Sequence, residues 1–414
     1  MKMYFLFITF LLFVSCNKNQ YCVSDNEDCE NSDSSDSLKY LGKLDTLWTS
    51  ELRNDNQRTG VHMDLQFLED KVYATFSSRI DGSISCYDVN GQGEILWEYD
   101  QGDRRYFETY LIPDRSLLIN KSWRNRLSLN LQTGEEIEYK TSTYTSGPRG
   151  IVLGDYLYYD EREDSERTAH LRRCPVSNLS QVESLYTVDN NDIDNSKKSI
   201  VSMNLWMDPS TGDSILIFQH RMINRVDVVA WNMDKKEVVW RHDDLTALGN
   251  SNHQQITLHD DKAYFAGATA FYCFDMFTGE ILWQFDHPSG INSFLFYRPV
   301  IAEDENLIIV KDGGGRFRGF DLETGNVRMF NEGSGHSTVS SGSPIYHDGI
   351  IYFTERSRLY AVRVATSETL WEESSSNIPL GVSSFQGELA IDRERGILYA
   401  TSSDRLFAIR VYED

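Results

Sequence analysis

A pattern close to Asp-x-x-Thr-Gly-x-x-x-Trp returns along the chain about every 46 residues, and no other feature narrows the possible folds as far. SISCYDVNGQGEILW ends at Trp97, AFYCFDMFTGEILW at Trp283 and VVAWNMDKKEVVW at Trp240. RFRGFDLETGNVRMF ends at Phe330 and LYAVRVATSETLW at Trp371, and weaker copies end at Tyr139 and Tyr186. Aligned on the Asp, the copies sit at Asp88, Asn130, Val176, Asn232, Asp275, Asp321, Arg363 and Arg410, between 42 and 56 residues apart. Self-similarity at such a period means that small units stack on one another, so that 414 residues do not require one large core or several domains.

Each copy has hairpin chemistry. The residues before the Asp alternate and are β-branched or aromatic, as in a half-buried strand. The Asp accepts bonds from turn amides, and the Gly (Gly279 and Gly325 in the two best turns) takes a positive φ. The Glu-Ile-Leu-Trp run is the return strand, and two further short strands precede each copy. Four strands per unit predict a β-propeller blade. The position two before the Asp holds Cys86, Ser128, Cys174, Ala230, Cys273, Gly319, Ala361 and Ala408, all small, which predicts a tight contact with a neighbouring blade's Trp. DRLFAIRVYED at the C-terminal end lacks a return strand, whereas LGKLDTLWTSEL around Trp48 is a return strand without a partner. The expected fold is therefore all-β: an eight-bladed β-propeller of four-stranded antiparallel blades, its ring closed by pairing N- and C-terminal segments in one blade.

On Cys86 to Trp97 and Cys273 to Trp283, with Asp88, Asp275 and Asp321 at the turns, the chain resembles the PQQ-like repeat propellers over roughly 41–414. Quinoproteins in that family carry PQQ, and many have a vicinal Cys-Cys and a carboxylate set for Ca²⁺. This chain has no Cys-Cys pair, and its interior Cys fall at packing positions, so no cofactor, no metal and no catalytic residue are assigned.

The chain opens MKMYFLFITFLLFVSC. Lys2 precedes a twelve-residue run, Met3 to Val14, that as a helix would rise about 18 Å, against about 30 Å of hydrocarbon core. It reads as a signal peptide, residues 1–16. Phe13-Val14-Ser15-Cys16 resembles a lipobox, which makes Cys16 the lipidated N-terminus, and Asn17 after it resembles the outer-membrane pattern. Residues 17–37, with six acids and five Ser, have nothing to bury and read as a tether; Cys22 and Cys29 within it are either paired or free. The propeller takes 38–414.

The balance of 40 basic against 63 acidic residues, a net −23, argues against nucleic acid as a partner and against adhesion to anionic membrane. Gly313-Gly314-Gly315 joins two strand patterns and reads as a hairpin turn, and the Ser/His run 334–344 as a polar loop. The charge run of Glu161, Arg162, Glu163, Asp164, Glu166 and Arg167 reads as a solvated hairpin tip. Inner strands are expected to begin near His62, Arg105, Arg149, Ser202, His253, Phe294, Val339 and Ser383, with Arg105, Arg149 and His253 as donors at the channel mouth. The extra residues in 187–200 form a long acidic loop and a candidate contact site.

In anchor, length, blade number and acidity the chain resembles the eight-bladed lipoprotein subunit of the outer-membrane β-barrel assembly machinery. That resemblance implies a non-enzymatic, lipid-anchored envelope scaffold, facing periplasm or cell surface, with an extracytoplasmic protein partner. The alternatives are a glycan- or small-ligand-binding lipoprotein using Tyr106, Phe107, Tyr110 and Phe294, and a quinoprotein-type enzyme.

Overall fold

The computed structural model describes residues 45–52, 62–77, 82–100, 108–121, 124–142, 150–163, 168–188, 199–221, 226–243, 256–267, 269–288, 298–312, 315–332, 342–355, 358–374, 387–402 and 405–411, with Leu245 and Phe385. They form eight four-stranded antiparallel sheets. Seven sheets are consecutive in sequence, with inner strands His62–Leu68 (blade I), Glu108–Ile112 (II), Gly150–Leu153 (III), Ser199–Met207 (IV), Thr257–His259 (V), Val300–Ala302 (VI) and Ile345–His347 (VII). Blade VIII takes Ala390–Asp392, Ile397–Thr401 and Arg405–Arg410 from the C-terminal end and Thr46–Glu51 as its outer strand. Trp48 pairs with Ala408 there, so the ring closes by the predicted exchange of ends. Inner strands of blades I to V lie against one another in sequence, as do those of VI and VII, and that of blade VIII lies against blade I.

The hairpin chemistry is as the sequence implies. Asp275 Oδ1 accepts the Thr278 N–H (2.8 Å) and hydroxyl (2.9 Å), and Asp321 Oδ1 does the same for Thr324 at 3.0 Å each. Gly279 and Gly325 take φ of +75° and +69°. Burying such a turn against a neighbour builds the ring. A Cβ on Gly279 would lie 2.6 Å from Trp240 of the preceding blade, and one on Gly325 2.5 Å from Trp283. Gly93 meets Trp48 and Gly134 meets Trp97 in the same way. Trp240 Nε1 also donates to the Met276 carbonyl (2.9 Å) and Trp283 Nε1 to that of Leu322 (3.3 Å).

The constraint set by a neighbouring blade's Trp therefore falls on the turn glycine. The small position faces the Trp of its own blade instead, Cys86 opposite Trp97 and Cys273 opposite Trp283. Three repeat assignments also shift. In blade III, Tyr156 pairs with Pro175 as Lys71 pairs with Asp88, so Pro175 is the reference position rather than Val176. Arg173, not Cys174, then lies two before it. In blade II the Trp position is Glu138, opposite Ser128, and Tyr139 is one residue beyond. In blade VI it is Met329, opposite Gly319, and Phe330 is exposed. Glu138 docks by hydrogen bonds where Trp docks by packing: it accepts Leu179 N–H and Ser180 Oγ–H of blade III, both at 2.7 Å.

Every outer strand carries a one-residue bulge, just before the Trp position in seven blades and two residues away in blade III. The extra residues are Leu96, Ile137, Leu185, Val239, Leu282, Arg328, Leu370 and Leu47 in blades I to VIII. A bulge bends and twists the strand that holds it.

Candidate functional site

The inner end of the ring holds the densest polar chemistry of the described residues. Blades VIII, I and II each place a carboxylate on the inner strand or just before it: Glu388, Asp64 and Glu108. Asp64 and Glu108 occupy the same repeat position, opposite Thr75 and Lys121. Each carboxylate binds a backbone N–H of an adjoining blade. Asp64 Oδ2 accepts from Thr109 (2.6 Å), Glu108 Oε2 from Gly150 (3.1 Å), and Glu388 Oε2 from Ser343 (2.7 Å). Burial raises the Asp64 carboxyl to about 7, with Glu388 and Glu108 adding to the rise.

Behind these lies a buried polar belt. Towards its inner end the second strand of each blade carries Thr75, Lys121, Asp160, Gln219, Ala266, Lys311, Thr354 or Thr401 at one equivalent position, every one at most 1% exposed. Seven of the eight are polar where the strand's alternation calls for an apolar residue. The next position adds Glu161, His220, Asp312 and Glu355, also buried. Charges so placed must pair across the blade joints. Lys311 Nζ lies 3.4 Å from Glu355 Oε1 of the next blade, with the Phe317 and Phe353 rings each 5.6 Å away. Four blades round the ring, Lys121 and Glu161 hold the same two positions, with Arg126 and Arg172 paired to Glu161. Burial lowers the Lys121 ammonium to about 8, against the pull of Asp160 and Glu108. His220 Nδ1 is 3.3 Å from Asp227, and His287 Nε2 is 3.1 Å from Asp312.

Glu161 is thus a buried member of the belt and not a solvated hairpin tip. The alternating charge run concealed it; the signal available was that it continues, after Asp160, the apolar run of residues 156–159 in the same strand. Arg105, Arg149, His253, Tyr106, Phe107 and Phe294 lie outside the described residues, as do Cys16, Cys22, Cys29, the segments 1–16 and 17–37, and residues 189–198 of the acidic loop. Of the aromatic candidates Tyr110 is placed: its phenol bonds Glu108 and accepts Gly150 N–H (3.1 Å), so it ties blade II to blade III. Inner strands II, III and V to VIII begin between one and seven residues later than expected, and that of blade IV three earlier.

Among the described residues, no group of three or more His, Cys, Asp or Glu has the geometry to hold a metal. The described thiols Cys86, Cys174 and Cys273 are buried in separate blades, and burial pushes them up to about 12, 11 and 12. They neither form a vicinal pair nor supply a thiolate.

The family model described as outer membrane protein assembly factor BamB matches residues 224–413. BamB from Moraxella catarrhalis superposes with a TM-score of 0.62 at 13% identity, over 90% of this chain and 99% of that one. The chain is an eight-bladed β-propeller that resembles BamB and the PQQ-like repeat proteins. Saccharomyces cerevisiae Sqt1 aligns with a TM-score of 0.64 at 9% identity, over 89% of this chain and all of that one. A europium-containing methanol dehydrogenase aligns at 0.61 and 9% identity, over 86% and 84% of the two chains. No curated protein sequence matches. At these identities the structural likenesses define the ring alone, and the same ring serves a dehydrogenase and an assembly factor.

Proposed function

We propose that this chain is a lipid-anchored scaffold of the cell envelope that binds another extracytoplasmic protein, in the manner of an outer-membrane assembly factor. The observation that carries the reading is the BamB family match over 224–413, together with a BamB structure aligning over 90% of the chain. The Cys16 lipobox pattern supports an anchor, and the buried, paired state of the interior polar groups supports a rigid ring presenting surfaces rather than a reaction chamber. The ring's acidity favours a partner with basic patches. Cross-linking envelopes that hold the tagged full chain, followed by purification, tests it. Recovery of barrel-assembly components at a stable ratio is expected, and their absence would overturn the assembly role.

A further inference from the structure

The turn of blade I departs from its relatives in length and in chemistry. Five steps separate Asp88 from Gly93, against four from Asp275 to Gly279, and Asn90-Gly91 stands where blade V has Phe277-Thr278. It is the one Asn-Gly pair in the chain, and both residues are exposed. In such a pair the glycine carries no Cβ to hinder its nitrogen, which can swing onto the carboxamide of the residue before it.

Groups from two blades meet this pair. Arg395 of blade VIII donates from Nη1 to the Asn90 side-chain oxygen (3.1 Å), so a guanidinium draws electron density from the carbonyl carbon. Asp88 Oδ1 accepts the Asn90 N–H (2.9 Å). The other oxygen of that carboxylate lies against Gly91, where a Cβ would come within 3.0 Å of it. The N–H groups of Val89, Asn90, Gly93 and Glu94 are all bonded, whereas that of Gly91 has no acceptor among the described residues. One exposed turn thus holds a nucleophile, a base beside it and a donor for the oxyanion that its attack would create.

We propose that Asn90 is a self-modification site, its carboxamide converted to aspartate and isoaspartate through a succinimide. Gly91 N bonds to Asn90 Cγ, the Cγ–Nδ2 bond breaks, and the Gly91 amide proton, passed through Asp88, leaves with the ammonia. Water then opens the imide. Cleaving N–Cγ restores the main chain with an aspartate, and cleaving the bond from N to the main-chain carbonyl carbon leaves the chain running through the side chain as isoaspartate.

The site lies at the joint that closes the ring. Arg395 spans that joint, and further along the turn Gly93 is pressed on Trp48 of blade VIII, where a Cβ would lie 2.5 Å from the indole. Isoaspartate adds a methylene to the main chain between Asp88 and Gly93 and so displaces that contact.

For the test, the full chain is held near neutral pH in heavy-oxygen water and its peptides are weighed at intervals. The peptide with Asn90 should lose ammonia and then gain one heavy oxygen, and an isoaspartyl methyltransferase should label it. The rate should exceed that of the same chain unfolded in urea by about tenfold or more. Asp88→Asn keeps the turn's acceptor, as Asn130 does for Gln132 N–H in blade II (2.9 Å), but removes the base. It should slow conversion about fivefold or more and steepen its rise with pH, because hydroxide must then do the carboxylate's work. Arg395→Lys should retain more of the rate than Arg395→Gln, and circular dichroism confirms the ring in each variant. A folded rate no higher than the unfolded one, aspartate without isoaspartate, or an Asp88→Asn rate within about twofold of wild type overturns the assignment. The isoaspartyl chain, separated by ion exchange, should unfold at lower urea than the fresh chain, and an equal midpoint overturns the effect on the joint.

Discussion

Replacing Gly279 by alanine tests whether the ring is held by its turn glycines. The added Cβ would lie 2.6 Å from Trp240 Cγ and 2.7 Å from Cδ2, at a φ of +75°. The left-handed backbone alone costs about 1–2 kcal/mol with a Cβ present. Forcing the indole aside adds about 1–3 kcal/mol of overpacking. If the ring moves, the Trp240 bond to the Met276 carbonyl (2.9 Å) goes too, worth about 0.5–1.5 kcal/mol. The expected loss is therefore about 2–6 kcal/mol, nearly all from one methyl group. Gly349→Ala is the control: φ is again +75°, but nothing lies within 4 Å of the new Cβ, so only the backbone cost of about 1–2 kcal/mol applies. Urea unfolding followed by circular dichroism compares the midpoints, provided the slopes agree. In a Trp240→Leu background the Gly279→Ala cost should fall towards that of the control, the coupling expected of two groups in contact. A difference of less than about 0.5 kcal/mol between the two alanine variants, near the limit of additivity for independent sites, would refute the docking argument.

Three further outcomes are expected. Asp64 is raised from 3.8 to about 7, so the folded state holds a proton that the unfolded chain has lost, and stability declines as pH rises through that window. Asp64→Asn should flatten this decline and raise the urea midpoint at pH 8. Lys311→Met leaves Glu355 buried without its cation and should cost about 3–5 kcal/mol, whereas Lys311→Met with Glu355→Leu should recover most of that, read by the same unfolding midpoints. Arg395 of blade VIII reaches blade I through Asp70 (2.9 Å), the Asn90 side chain and the Glu69 carbonyl (3.1 Å each). Arg395→Ala should cost about 1.5–3 kcal/mol and speed proteolysis at the closing blade.

The ring itself was legible because its construction repeats: an acceptor and a glycine at a hairpin, then an indole, recur at a period that permits little else. The same reasoning failed where the chemistry was substituted. Blade III replaces the Asp by Pro175 and lacks the glycine, so nothing in the sequence anchored its register, and the alignment slipped by one. Glu138 does by hydrogen bonding what an indole does by packing, and no pattern of apolar residues reveals that. The buried belt was missed for a related reason. A lysine or glutamate at the end of a strand reads as the start of a solvated loop until the strand is known to be flanked by two other blades.

The bulge that recurs in all eight outer strands bears on the molecule's company as well as its shape. A ring of eight sheets turns eight unsatisfied edges outward, and each is a place where another polypeptide could continue the ladder. Copies meeting through such edges would branch rather than pair, and a crowded compartment would fill with network. By breaking the straight run of free amides, at one shared point in seven blades and two residues away in blade III, the bulges remove that polymerising tendency from the whole circumference. The molecule is left to be recognised by what its side chains say.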